Sequence, residues 1–266
     1  MCVLLILKDR VEGWPWVVAA NRDEAYARPS RPPRSVRGPI RFFAGSDRTA
    51  GGTWLGVNEK GLIAAITNRP GGDRNPARPS RGQVTVAVLM QPDAAAARLY
   101  LEDLEQDVTP WKISSLSDDR DLHVVEAPLP GPPTPGYNPF NLFVAHGNDG
   151  FVTYNSGGTR VQDVDEGVHI LTNDHDLDQL PVDSTLDRTW SIAERGDLIQ
   201  SLKRFLARHE GVGPEKYPIC KHGEEYGTVS STILTVGPDF PRDSLYLHAE
   251  GSPCTTELKG HTLISI

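Results

Sequence analysis

The chain has 266 residues, a formal net charge of −8 and a pI near 5.5. That acidic balance excludes broad electrostatic attraction to nucleic acid or anionic membrane, and 38% hydrophobic with 23% charged residues excludes wholesale disorder. Cys2, Cys220 and Cys254 form no CxxC pair, which argues against a disulfide framework. The opening apolar run is too short for a signal-peptide core or a membrane span, so a cytoplasmic address and no integral membrane segment are expected.

The run Cys2-Val3-Leu4-Leu5-Ile6-Leu7 predicts a buried strand with a cysteine at its start. If Met1 is removed, Cys2 carries a thiol and a free α-amine on one residue. The amine titrates near about 7.7–8.0 and free cysteine near about 8.5, so the amine can take the thiol proton without a separate histidine. The competing reading is a cysteine that serves only as a small buried hydrophobe. Gly13 and Pro15 supply turn chemistry before a second apolar run, Trp16–Asn21, and the two runs predict a β-hairpin. Its second strand leads directly into Asn21-Arg22-Asp23-Glu24, four polar residues at the end of a buried segment.

Arginines then cluster between Arg22 and Arg48. Interspersed prolines and acidic residues make Arg28–Pro39 read as a solvated, irregular loop, though such a cluster could meet an anion. Alternation at Thr53, Leu55 and Val57, the Asn58-Glu59-Lys60-Gly61 turn and the apolar run Leu62–Thr67 predict a second hairpin. Gln83–Met90 is short and apolar, and Asp93 is placed to N-cap an alanine-rich helix reaching about Glu105. Residues 109–139 show no clear period and read as a linker or an edge. Strands are predicted at Phe140–Ala145, Phe151–Tyr154 and Val168–Thr172, with Gly147-Asn148-Asp149-Gly150 as a hairpin turn. Leu186–His209 has mostly helical apolar spacing, as one helix or two broken near Gly196. The chain closes with strands at Thr228–Val236, Ser244–His248 and Thr262–Ile266. Strands at both ends with helices between them predict one α+β domain over residues 1–266, with a boundary near 109–139 as the alternative.

Asn21-Arg22-Asp23-Glu24, one strand after an N-terminal Met-Cys, resembles the signature of the NRDE family, also called the transport and Golgi organisation protein 2 family. Gly51–Gly56 with Asn58–Gly61 and Leu62–Asn68, Ser80-Arg81-Gly82, Phe140-Asn141-Leu142, Leu171-Thr172-Asn173, Tyr226-Gly227-Thr228 with Ser230-Ser231-Thr232, and Pro253-Cys254-Thr255-Thr256 resemble its further landmarks, in order along nearly the whole chain. That family is in turn similar to the N-terminal-nucleophile hydrolases of the choloylglycine hydrolase and penicillin V acylase type. The resemblance implies a four-layer αββα sandwich with Cys2 as the nucleophile, Asp23 as the aspartate that positions it, and Asn173 and Asn68 as oxyanion residues. It also shows departures: the acylase arginine before Asn-x-Asp is Ala20 here, Arg22 lies inside the motif, and Thr232 stands where the acylases have a further active-site arginine.

Two functions follow. The first is hydrolysis of an amide or related acyl bond of a small molecule at Cys2. Asn68 and Asn173 would receive the oxyanion, Arg22 would keep Asp23 ionised through a charge-assisted hydrogen bond, and no cofactor would be required. The second is a non-catalytic carrier of a hydrophobic ligand, for which the resemblance implies haem or lipid trafficking. Haem ligation would draw on Cys220 with His222, on His175 beside Asp174, or on Cys2. Cys220-Lys221-His222 supplies two potential metal ligands where zinc needs four, so no metal site is expected. A scaffold in secretory-pathway organisation is a third reading, and no amphipathic helix, coiled coil or basic patch in the sequence demands it. No oligomeric state is implied.

Overall fold

The computed structural model describes residues 2–72, 75–104, 110–115, 121–127, 136–180, 195–212 and 217–263. In chain order it opens with β1 (Val3–Val11), β2 (Trp14–Ala25), β3 (Ser30–Arg37), β4 (Phe42–Asp47), β5 (Leu55–Asn58) and β6 (Ile63–Asn68). The helices α1 (Arg81–Leu89) and α2 (Ala94–Glu102) follow, then β7 (Trp111–Ser115), β8 (Leu122–Glu126), β9 (Phe140–His146), β10 (Asp149–Asn155), β11 (Thr159–Asp163) and β12 (Gly167–Thr172). Helix α3 (Arg195–Leu206) precedes β13 (Gly211–Val212), β14 (Tyr217–Pro218), β15 (Tyr226–Val236), β16 (Leu245–Ala249) and β17 (Lys259–His261). The described residues divide into two compact units, one made of 2–27 and 165–263, the other of Arg28–Val164.

The first unit is built on an antiparallel sheet ordered β12-β1-β2-β15-β16-β17. The predicted N-terminal hairpin is present, with Val3 opposite Asn21 and Lys8 opposite Trp16. Alternation along β1 aims Val3, Leu5 and Leu7 at one face, where Val17, Ala19, Ile170 and Ile233 complete the sheet side of a core. Helix α3 covers that face with Leu198, Leu202, Phe205 and Leu206, three or four residues apart and hence on one stripe. Asp197 in its first turn and Lys203 and Arg204 in its last complement the helix dipole. The portion of the predicted helix from 186 to 194 lies outside the described residues.

The second unit is a nine-stranded sheet ordered β11-β10-β9-β6-β5-β4-β3-β8-β7, with α1 and α2 packed on its apolar face through Val84, Val88, Leu89, Ala97 and Leu101. The predicted hairpins at 53–67 and 140–154 are both present. Asn58 closes the first of them: its Oδ1 accepts from the backbone of Lys60 and Leu62, and its Nδ2 donates to the carbonyls of Leu89 and Gln91. Asp93 caps α2 as predicted, accepting from the Ala96 N–H at 2.8 Å. Gly52 and Gly82 let two backbones meet, since a Cβ on Gly52 would lie 2.6 Å from the Gly82 carbonyl carbon.

Two expectations are corrected and one is narrowed. Arg28–Pro39 is not an irregular loop but contains strand β3, and its register shifts between Arg31 and Arg34, where Pro32 and Pro33 withhold N–H donors. Of the two readings of 109–139, the edge is the one found: its described residues include β7 and β8, which pair at one edge of the nine-stranded sheet. The last strand pairs at Lys259–His261, upstream of the expected start at Thr262, and residues 264–266 lie outside those described.

Strand β12 is fixed at its far end by Asp178, in the left-handed region at φ 62°, whose Oδ1 accepts from Ile170 N–H and whose own N–H donates to the Ile170 carbonyl. His169 lies between two acceptors, Asp178 Oδ2 at 2.7 Å and the Asp165 carbonyl at 2.9 Å. Burial pulls the imidazole pKa down, but the hydrogen bond and charge of Asp178 outweigh it and the net shift is upward. A raised histidine pKa stabilises the fold fully below the unfolded value of about 6.5, and that contribution disappears as pH rises through the folded value. Asp178→Asn should therefore lower the His169 pKa in an NMR titration and reduce stability most in mildly acidic solution. An unchanged titration would contradict this account.

Candidate functional site

The pairing register brings most of the expected residues together within the first unit. Val3 lies opposite Asn21 on one side and Thr172 on the other. Cys2, one step earlier, therefore sits beside Arg22 and Asn173. The Cys2 backbone N–H donates to Asn173 Oδ1 at 3.0 Å. Asn173 is itself buried, directly after β12. Asn68 stands at the end of β6, in the other unit.

Asp23 is 2% exposed within β2. A carboxylate in that position needs partners. Thr228 Oγ1 donates to Oδ1 at 2.7 Å, Lys221 Nζ lies 3.3 Å from Oδ2, and the Tyr226 hydroxyl donates to the Asp23 carbonyl oxygen. Burial nevertheless raises the Asp23 pKa, against the opposing pull of Lys221 and Thr228. The cation expected from Arg22 is thus supplied chiefly by Lys221. Neighbouring residues on a strand point to opposite faces, and Arg22 lies within 3.9 Å of Glu24 instead.

A β-bulge makes this arrangement possible. The pairing of β15 with β2 shifts between Thr228 and Ser230, which sets Thr228 opposite Asp23 and Ser230 opposite Arg22. Lys221 is held against the bulge from both directions, its N–H donating to Thr228 Oγ1 and its carbonyl accepting from Thr228 N–H, both at 2.9 Å. Gly227 is required beside it, because a Cβ there would meet the Lys221 carbonyl oxygen at 2.6 Å and the Tyr26 hydroxyl at 2.2 Å. Asn21, two residues before Asp23, is a structural bracket: its Nδ2 donates to the carbonyls of Leu206 and Ile219 and its Oδ1 accepts from Ser231.

The Cys2 thiol pKa is raised, first by burial and then by the Asp23 carboxylate, while a backbone hydrogen bond from Asp23 and the Arg22 charge act the other way. At neutral pH the thiol is protonated and depends on a base to become nucleophilic. Tyr217 lies in the same electrostatic neighbourhood: burial and the charges of Asp174, Asp23 and Cys2 push its phenol pKa up, so it is a neutral donor. Its ring carries Lys221 Nζ 4.5 Å from the centroid and meets His175 edge-on at 6.0 Å. His175 Nδ1 also lies 3.1 Å from Thr172 Oγ1. His248 is buried beside Thr232, with 2.9 Å between Nδ1 and Oγ1. Burial, His261 and Arg22 lower its pKa to about 3, so it is a neutral imidazole.

Sequence reasoning misses Lys221, Thr228, Tyr217 and His248 as members of the site. Thr228 is visible only as part of a family landmark. Lys221 and Tyr217 follow the helix in a stretch without periodicity, and nothing in the sequence links them to Asp23.

Comparison with solved structures defines the class. A mutant of conjugated bile acid hydrolase from Clostridium perfringens superposes with a TM-score of 0.54 at 12% identity, over 98% of this chain and 96% of that one. Penicillin V acylase from Agrobacterium tumefaciens gives 0.52 at 13% identity, over 100% and 87%. The fold is therefore α+β of the N-terminal-nucleophile hydrolase type, as the sequence implied. The profile of the family described as Transport and Golgi organisation 2 matches residues 1–212, and the chain belongs to that family. A Transport and Golgi organization 2 homolog of Mus musculus is 37% identical over 91 residues, 32% of this chain and 33% of that protein. The Homo sapiens homolog is 42% identical over 75 residues, 26% and 27% respectively. These aligned stretches span about a third or less of the relatives' length. Among the described residues no helix is long and apolar enough to cross a membrane.

Lys221→Met would leave the Asp23 carboxylate buried without its principal cation, a change that costs about 3–5 kcal/mol where such a pair is fully buried. Because the folded Asp23 pKa already lies above the unfolded value, protonation favours the fold as pH falls through the folded pKa. Denaturant melts should show a deficit of about 3 kcal/mol at neutral pH that narrows on acidification, and Asp23→Asn in the same chain should recover most of it. A deficit independent of pH would exclude the pairing as its cause.

Proposed function

We propose that the chain, once Met1 is removed, is an N-terminal cysteine hydrolase acting on an amide or related acyl bond of a small molecule. The observation that carries this reading is the hydrogen bond from Cys2 N to Asn173 Oδ1, formed at the start of a strand and next to the network that holds Asp23. With Met1 gone, that nitrogen is the α-amine, fixed by an acceptor on the residue that bears the thiol. It supplies the base that a protonated thiol requires.

In this mechanism the amine takes the thiol proton and Sγ attacks the acyl carbon. Negative charge then builds on the carbonyl oxygen. Asn173 accepts from the α-nitrogen through Oδ1, so its Nδ2 is the end available to donate. The ammonium returns its proton to the departing nitrogen, leaving a thioester on Cys2, and water activated by the freed amine releases the acid. Asp23 acts as a positioning residue, holding the charge of the N-terminus, with Lys221 and Thr228 keeping the carboxylate in place. Asn68, which the resemblance implies as a second oxyanion residue, lies in the other unit and is given no step here.

Intact-mass measurement should show Met1 removed, and an acyl-bond substrate screen on that material should find turnover. Cys2→Ala should lower turnover at least about a thousandfold and abolish labelling by an electrophilic acyl probe. Asp23→Asn should separate two properties. The thiol should be alkylated at lower pH, since the carboxylate no longer raises its pKa, while turnover should fall about a hundredfold or more. Retained Met1, or undiminished turnover in Cys2→Ala, would reject the mechanism.

A further inference from the structure

Behind the Lys221 segment, four side chains from three separate stretches of the first unit converge. They are His209 just beyond α3, Cys220 and His222 on either side of Lys221, and Cys254 in the loop after β16. One ligand atom from each lies within 4.8 Å of all the others. Cys220 Sγ is 3.7 Å from Cys254 Sγ and 3.6 Å from His222 Nε2, and His222 Nε2 is 3.2 Å from Cys254 Sγ. The rings of His209 and His222 are 5.0 Å apart between centroids.

The Cys220–Cys254 and Cys220–His222 separations match one geometry, and the 3.2 Å between His222 Nε2 and Cys254 Sγ is about 0.4 Å shorter than it requires. A tetrahedral zinc with Zn–S of about 2.3 Å and Zn–N of about 2.0–2.1 Å places its two sulfurs about 3.8 Å apart and sulfur and nitrogen about 3.6 Å apart. Two thiols and two imidazoles are also the donor set of a common structural zinc site. The expectation of no metal, drawn from Cys220 and His222 alone, counted half of the donors. The other two come from His209, 11 positions before Cys220, and Cys254, 34 after it, a spacing that no local motif reveals.

We propose that His209, Cys220, His222 and Cys254 bind a zinc ion that clips the end of α3, the 220–222 segment and the loop bearing Cys254 together. Two thiol protons leave to solvent as the divalent ion enters, and no redox change is involved. With four protein donors the coordination sphere is closed, which makes the site structural and not catalytic. Its effect reaches Asp23 through bonded contacts. Residues 220–222 bracket Lys221, whose ammonium pairs with Asp23. In the loop with Cys254, Ser252 Oγ donates to the Thr228 carbonyl at 2.7 Å, and Thr228 donates to Asp23. The clip thus fastens both Lys221, which pairs with the buried carboxylate, and Thr228, which donates to it. The proposal does not depend on Cys2 being a nucleophile.

The chain should be purified without chelator or affinity metal, dialysed, and analysed for metal by mass spectrometry. About one zinc per chain is expected. Exchange for cobalt(II) should give thiolate-to-cobalt charge-transfer bands and the intense visible absorption of a tetrahedral centre. Cys220→Ser and Cys254→Ser should each lose most of the zinc and weaken the charge-transfer bands, while Cys2→Ala should retain both. X-ray absorption on the unmodified protein, which needs no variant to fold, should count two sulfur and two nitrogen ligands. Protein that lacks zinc and takes up no cobalt would overturn the proposal. So would zinc held equally well by Cys220→Ser, or a Cys220–Cys254 disulfide found by non-reducing peptide mapping.

Discussion

A carboxylate buried in the body of a β-sheet is tolerated only where opposite charge and hydrogen-bond donors meet it. Asp23 is that carboxylate, and much of the first unit is arranged around it. The bulge in β15 sets Thr228 opposite it, Gly227 lets the neighbouring segment approach, and that approach delivers Lys221. Asn21, on the same face two residues earlier, ties β2 to the end of α3 and to Ile219. The same segment then ends in the cluster of thiols and imidazoles. Asp23, Lys221 and the Cys220/His222 pair therefore form one continuous structure, although more than 190 positions separate Asp23 from Lys221.

Two positions at which the sequence departs from the acylase pattern are occupied by neutral side chains in the structure. The sequence lacks an arginine at position 20 and has Thr232 where a second one would stand. Ala20 is 6% exposed and Thr232 bonds to His248, so both positions are filled by neutral packing. Positive charge enters from another direction, on Lys221. A single flexible ammonium is a point charge, whereas arginine is a rigid two-pronged donor. The Lys221 ion pair and the Thr228 hydroxyl are among the contacts that hold the carboxylate.

The N-terminal hairpin, the Asn58 turn, the Asp93 cap and the stripe on α3 are all legible in the sequence, because each rests on local pattern: alternation, a turn residue, a capping side chain or a 3.6-residue period. What the sequence hides rests on pairing between distant segments. Strand β3 carries two prolines and three arginines, a composition that reads as loop until β4 and β8 supply neighbours. Of the site, Cys2, Asp23 and Asn173 are visible through the resemblance, and the register brings Cys2 and Asn173 together. Arg22 is expected beside Asp23 from adjacency in sequence, and the structure places it within 3.9 Å of Glu24. Lys221 and the two further sulfur and imidazole donors have no local signature at all.

His248 gives the molecule a property that concerns acid rather than chemistry at Cys2. An imidazole held neutral down to about pH 3 binds its proton far less readily folded than unfolded. As the surroundings drop below about pH 6.5, the unfolded chain gains a proton that the native one refuses, and the balance tilts against the native form. His169, with its shift in the opposite direction, acquires its stabilising proton at higher pH and is already fully contributing where that loss begins. Through this one ring, lodged beside an arginine, the native form gains more from neutral than from acidic surroundings.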